Sequence, residues 1–282
     1  MRWKGREQSG NVEDRRRIGG KTMAAGGGLG VLAVAVIVWL LGGNPGDVVN
    51  TLRSTGGGIA PVDSELIEAE QELAQFASVV LKDTEDIWRM LFSESGKTYR
   101  EPTLVLFSGS VESACGYSSS ATGPFYCPAD ERVYIDLSFL ADLQRRLGAT
   151  GDFAMAYIIA HEVGHHVQKL LGVMDRVHGL RERVGEAEYN ENLVRLELQA
   201  DFLAGIWAHY AQKTKDILEE GDVDEAVNAA GAVGDDRIQM QSQGYIVPDA
   251  FTHGTSEQRA GWFLKGFKTG DLDRGNTFST GA

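Results

Sequence analysis

Apolar residues recur along much of the chain at spacings of three, four and seven, the pattern of helices with one buried face. Leu66, Ala69, Leu73, Phe76, Val80, Ile87 and Leu91 form one such stripe. It predicts a helix that starts at Asp63 or Ser64, with either residue as cap, and ends near Phe92. Short apolar runs then predict strands at Thr103–Phe107 and Arg132–Asp136, with loops and strands between Val111 and Asp136. A further helix is expected over Ser138–Leu147. From Asp152 the chain is apolar almost all round, which predicts a helix buried in the core and stopped at Gly172. A long helix is expected from Glu186 to about Ala211. Asp222 with Glu225, and Thr255 with Gln258, have the spacing of capping boxes for two more. The expected fold is mainly α with a small β-sheet, an α+β class.

Residues 23–43 differ from all of these. They hold 21 residues without a charge, about the length that crosses a bilayer. Seven Lys or Arg and three acids precede them, leaving 20 basic and 37 acidic residues in the remainder. Positive charge before an apolar span keeps the N-terminus in the cytoplasm. The expected layout is a basic cytoplasmic tail at 1–22, a transmembrane anchor at 23–43, a Gly- and Pro-containing linker at 44–62, and a folded domain at 63–282 on the extracytoplasmic side of the inner membrane. A cleaved signal peptide is the rival reading, but LGGNPG after the span is not an A-x-A-like site. The net charge of -13 argues against nucleic acid as a partner. Nothing in the sequence sets the oligomeric state.

Cys115 and Cys127 fit export, because a disulfide closing that short loop suits an oxidising compartment. Two free thiols or a metal pair are the alternatives.

The chemistry centres on His161-Glu162-Val163-Gly164-His165. Two histidines one helical turn apart lie on one face and can converge on one Zn2+, with Glu162 placed to act as general base on its water. A charged Glu and three imidazoles in an apolar helix otherwise have no reason to be there. His166 points off that face and reads as structural. A catalytic zinc needs a third protein ligand. Glu197 falls within the apolar stripe Leu193, Leu196, Ala200, Leu203, Ala204 and Trp207 of its helix, with Asp201 one turn on. In this reading Glu197 binds zinc and Asp201 accepts the second ring N–H of a ligand histidine. His178, His209 and His253 are the other candidates. The longer HExxHxxGxxH motif is broken, since Gln168 and Leu171 stand in its last positions.

HEVGH with the downstream ExxAD resembles the gluzincin clan of zinc peptidases. The whole layout is similar to the bacterial neutral zinc metallopeptidase family. The likeness includes ACG and GPFYCP (Ala114–Gly116, Gly123–Pro128), VYID before the active helix, and HGTSEQR from His253 to Arg259. The last motif resembles the HP…R segment of CAAX-protease-like gluzincins, with Gly254 where proline stands. These resemblances imply a zincin-like domain that hydrolyses polypeptides, with His253 donating to the oxyanion and Arg259 binding Asp201 or another carboxylate. The strand expected to align substrate is Arg132–Asp136. Two other functions share the metal: a non-catalytic zinc-stabilised adaptor of the cell envelope, and a zinc amidase acting on cell-wall peptides. The intact Glu162 argues against the adaptor, which needs no general base.

Overall fold

The computed structural model of the chain describes residues 1–16, 64–119, 123–139 and 151–279. The expected anchor and linker lie outside these residues, as does most of the helix expected over Ser138–Leu147. Among the described residues no helix is long and apolar enough to cross a membrane. Met1–Glu13 and Ala74–Ala282 form one compact body, and Asp14–Leu73 a second unit. In the second unit Arg16 pairs with Asp14 and donates to the Glu70 carbonyl.

The body is mainly helical with small sheets. Four strands, β1 (Val12–Asp14), β2 (Thr103–Phe107), β5 (Phe125–Cys127) and β6 (Arg132–Asp136), lie in the order β1-β2-β6-β5. β6 is parallel to β2 and antiparallel to β5, with Phe125 opposite Tyr134. This corrects the role expected of Arg132–Asp136. A strand paired on both sides has no free edge to offer a substrate. Among the described residues the sheet ends in β1 on one side and in β5, next to β6, on the other. The continuous burial of Val133 to Asp136 is the mark of an interior strand.

β3 (Ser110–Ser113) and β4 (Gly116–Ser119) form a hairpin. A disulfide from Cys115 in its turn to Cys127 ties this hairpin to β5. Cys127 packs with Val105, Phe107, Val111 and Tyr134 in an apolar cluster.

The first helix, α1 (Ser64–Glu94), is exposed from Glu68 to Glu72 and mostly buried from Ala74 to Phe92. Next come α2 (Asp152–Leu170), α3 (Val173–His178), α4 (Glu186–Lys215), α5 (Asp222–Ala232), α6 (Asp235–Gln243) and α7 (Ser256–Thr269). As its composition demands, α2 is buried along nearly its whole length, and Gly172 follows it in a left-handed conformation. Phe153 stacks on Trp207 of α4, and Tyr157 meets Phe263 of α7 edge-on. α4 and α7 touch backbone to backbone at Gly205 and Gly266. A Cβ on Gly205 would stand 2.1 Å from the Phe263 carbonyl oxygen, and one on Gly266 would stand 2.1 Å from that of Phe202. That close approach brings Arg259 of α7 against Asp201 of α4.

Thr255 and Gln258 form the capping box expected of them. Asp222 and Glu225 do not. Asp222 accepts from the Glu219 N–H, and Glu225 accepts from the Phe153 N–H on α2. The acid pattern that looked like a local cap instead ties α5 to the start of the buried helix.

Met1–Glu13 is an arm laid along the body. Trp3 packs edge-on against Phe76 of α1, 5.4 Å between ring centroids. Arg6 donates to Asp83 at 2.6 Å, and Ser9 and Asn11 both donate to Glu85, at 2.6 and 2.8 Å. Backbone bonds join Arg2 to Ile217, Ser9 to Ser78 and Leu104 to Asn11. The Met1 ammonium pairs with Asp152, Glu219 and Asp222.

Candidate metal centre

α2 and α4 cross where Gly164 leaves room, a Cβ there reaching to 3.0 Å from the Ala200 carbonyl oxygen. Their facing turns bring together His161, His165 and Glu197, each offering one ligand atom with all three within 4.8 Å of one another. His161 Nε2 lies 3.2 Å from Glu197 Oε2, and His165 Nε2 lies 3.3 Å from Glu197 Oε1.

The hydrogen bonds behind these atoms say which face each ring turns to the centre. His161 Nδ1 is 2.8 Å from Asp201 Oδ1, a pure acceptor when ionised, so this nitrogen carries the proton and Nε2 is left toward Glu197. His165 Nδ1 is 2.9 Å from Gln168 Oε1. The Gln168 amide nitrogen is committed to the Leu196 carbonyl and to Gln199, so its oxygen faces the ring and His165 Nδ1 donates. Two imidazole lone pairs then point at one carboxylate. Such a group of acceptors repels unless a cation or a proton lies among them. Zinc held tetrahedrally at about 2.0–2.1 Å separates its ligands by about 3.3–3.4 Å. The two separations, one to each Glu197 oxygen, are close to that spacing, and the donor set of two nitrogens and one carboxylate fits a zinc with an open position.

Electrostatics point the same way. Burial opposes charge on His161, but Asp201 and Glu197 outweigh it and push the metal-free imidazole up to about 10. Burial also raises the Glu197 carboxyl, yet the two histidines hold it well below the ordinary carboxylate range. The centre is built to hold positive charge.

Asp201 is the hub of a buried network. Besides His161 it takes the Tyr157 hydroxyl and two Arg259 nitrogens. The Arg259 guanidinium overcomes the burial penalty on Asp201 and keeps it ionised. Arg259 also reaches within 3.9 Å of Glu197.

A cleft of about 620 Å³ opens over the centre. Glu162 and His253 line it with the three ligand residues, and Phe125 and Tyr126 bring the edge strand to its wall. His253 is held by Asp235: Oδ1 lies 3.2 Å from its Nδ1, and Oδ2 accepts the N–H groups of Thr252, His253 and Gly254. His166 lies outside the centre. Its Nε2 donates to the Arg100 carbonyl at 2.6 Å, so its Nδ1 accepts from the Tyr126 hydroxyl at 3.0 Å. His178 stands at the cleft wall and His209 bonds the Phe267 carbonyl. Neither joins the ligand cluster. A separate hollow of about 670 Å³ contains none of these histidines.

The structure thus gathers His161, Glu162, His165, Glu197, Asp201, His253 and Arg259 at one place. Sequence reasoning missed Tyr157, Gln168 and Asp235. Tyr157 is one turn before His161, and Gln168 nearly one turn after His165, so stepping along the face of α2 finds both. Asp235 has no such signal, because it reaches His253 from a helix with no apolar stripe.

The family described as "Putative neutral zinc metallopeptidase" matches residues 1–278. Uncharacterized protein YpfJ of Escherichia coli (strain K12) is 50% identical over 286 residues, covering 99% of both chains. Uncharacterized protein Rv2575 of Mycobacterium tuberculosis (strain H37Rv) is 45% identical over 192 residues, 64% of each chain. No solved structure matches. With a match that spans the arm, the ligand helices and the final helix, the chain belongs to the neutral zinc metallopeptidase family.

Proposed function

We propose that this protein is a zinc-dependent endopeptidase with a zincin-like body, associated with the membrane through residues 23–43 and acting on polypeptides outside the cytoplasm. The observation that carries the reading is the convergence of His161 Nε2, His165 Nε2 and a Glu197 oxygen beneath a cleft that also holds Glu162. The disulfide supports the extracytoplasmic side, since cytosolic thiols are kept reduced.

His161, His165 and Glu197 would hold the zinc, which supplies Lewis-acid polarisation and an acidified water. Asp201 and Gln168 fix the two imidazoles with Nε2 forward. Glu162 takes the proton of the attacking water and passes it to the leaving amine. His253, aimed by Asp235, donates to the oxyanion that forms on the scissile carbonyl. An extended substrate pairs along the outer edge of β5, and its apolar side chains lie against Phe125, Phe139, Ile158, Met174, Leu193 and Ile238.

The test uses the full-length chain loaded with zinc, and its Glu162→Gln variant, against unfolded protein substrates and against cell-wall peptides. Cleavage of the proteins by the native chain and loss in the variant, at equal zinc content, is the expected result. Equal cleavage by both sinks the mechanism. Cleavage of cell-wall peptides alone turns the assignment to an amidase.

A further inference from the structure

We infer that the N-terminal arm, Met1–Glu13, and the metal-bearing body lie on one and the same side of the membrane.

The arm is a structural part of the body. Asp83 and Glu85 of α1 are almost fully buried, at 2% and 3% exposure. Among the described residues, the hydrogen bonds to the Glu85 carboxylate come from the arm, from Ser9 and Asn11. Asp83 shares its charge between Arg6 of the arm and Lys215 of α4. Without the arm, Glu85 would be a buried carboxylate with neither of these donors, a costly state for a folded domain. The sheet needs the arm as well. β1 is hydrogen-bonded beside β2, and Glu13 pairs with Arg132 of β6 at 2.8 Å. Trp3 covers Phe76, which is 1% exposed.

These contacts are incompatible with a bilayer between their two halves. A hydrocarbon layer about 30 Å thick cannot separate groups bonded at under 3 Å. Two of the seven positive residues before the apolar stretch are engaged by the body: Arg2 and Arg6 pair with its acids Asp216 and Asp83. The disulfide supports an oxidising compartment for that shared side.

The experiment uses the native full-length chain and two of its own lysines. Lys4 of the arm and Lys213 of α4 are both exposed. Spheroplasts making the protein are treated with a membrane-impermeant amine reagent, before and after lysis, and both sites are read by mass spectrometry. Equal modification of Lys4 and Lys213 before lysis is expected. Modification of Lys213 alone, with Lys4 protected until lysis, overturns the inference. Protection of both until lysis supports the shared side but overturns the external location proposed above. A Trp3→Ala variant of the purified full chain gives a second readout. It should melt at lower temperature than the native chain, and an unchanged melting temperature would count against the arm as part of the body. Neither readout depends on peptidase activity.

Discussion

Arg259 grips Asp201 through two nitrogens, Nε at 2.9 Å from Oδ2 and Nη2 at 3.1 Å from Oδ1. Both side chains are buried, at 4% and 0% exposure. The grip matters because Asp201 Oδ1 also orients His161. A lysine at position 259 keeps the charge but loses the planar fork. Arg259→Lys is therefore expected to weaken zinc affinity by about 10–100-fold, the usual effect of disturbing a ligand's support. Arg259→Ala strands a buried carboxylate and should destabilise the fold by about 3–5 kcal/mol. Zinc retention against a graded chelator and thermal melting measure the two effects. A lysine variant that matches the native chain in both would show that the fork geometry is irrelevant.

Gln168 does for His165 what Asp201 does for His161, but without charge. Gln168→Leu takes the acceptor from His165 Nδ1 and the donor from the Leu196 carbonyl. The imidazole is then free to rotate or to change tautomer. Zinc affinity should fall by about 10-fold or more, with a stability loss of about 1–3 kcal/mol from the unpaired buried groups. Gln168→Glu restores an acceptor and should recover most of the zinc affinity. Titration with a competing zinc chelator distinguishes the three proteins.

The ligand set was legible because it obeys the arithmetic of helices. His161 and His165 repeat at one turn on an apolar helix, and Glu197 and Asp201 repeat at one turn on another. What periodicity conceals is anything joined across the fold. Asp235 serves His253 from α6, whose exposed and polar sequence gives no helix signal. Arg6, Ser9 and Asn11 serve acids more than 70 positions away. A basic stretch before an apolar one gives no sign of those partners. The edge strand was misjudged for the opposite reason. Arg132–Asp136 is the more apolar and regular run, and regularity on both faces belongs to an interior strand.

The pairing of His253 with Asp235 predicts a pH dependence. The hydrogen bond to Asp235 raises the His253 pKa above the ordinary imidazole value of 6.5, and Glu197 adds to the rise while burial and Arg259 oppose it. A raised folded-state pKa contributes stability that is complete below pH 6.5 and is lost as pH rises through the folded value. If protonated His253 serves the oxyanion, the alkaline limb of kcat/KM follows the same group. Asp235→Asn still accepts the backbone N–H groups of the loop but removes the charge. The alkaline limb should move to lower pH, and the pH-dependent part of the stability should shrink. Matched pH profiles of activity and melting temperature for the two proteins test this. An alkaline limb unmoved by the substitution would detach His253 from the chemistry.

Tyr126 links the strand at the cleft wall to the helix that carries His161 and His165. It lies on β5, and its hydroxyl donates to His166, the neighbour of ligand His165. Burial lowers the His166 pKa, so the ring is held neutral and can accept that bond. The other end of His166 is fixed on the Arg100 carbonyl, and Tyr99 packs against its ring. The spacing between β5 and α2 is thereby set by one hydrogen bond on the helix side, while the disulfide at Cys127 holds the strand from behind. Tyr126→Phe keeps the ring packing and leaves His166 Nδ1 without its donor, at a cost of about 1–3 kcal/mol. The zinc ligands are untouched, so zinc content should not change. Long substrates that pair along β5 should show a raised KM, whereas short peptides that engage only the centre should keep theirs. Hydrogen exchange at the β5–β6 ladder, where Phe125 faces Tyr134, should quicken in the variant. If the ladder exchanges as slowly as in the native chain and KM is unchanged for every length of substrate, Tyr126 is a packing residue and the strand is positioned by its pairing with β6 and by the disulfide.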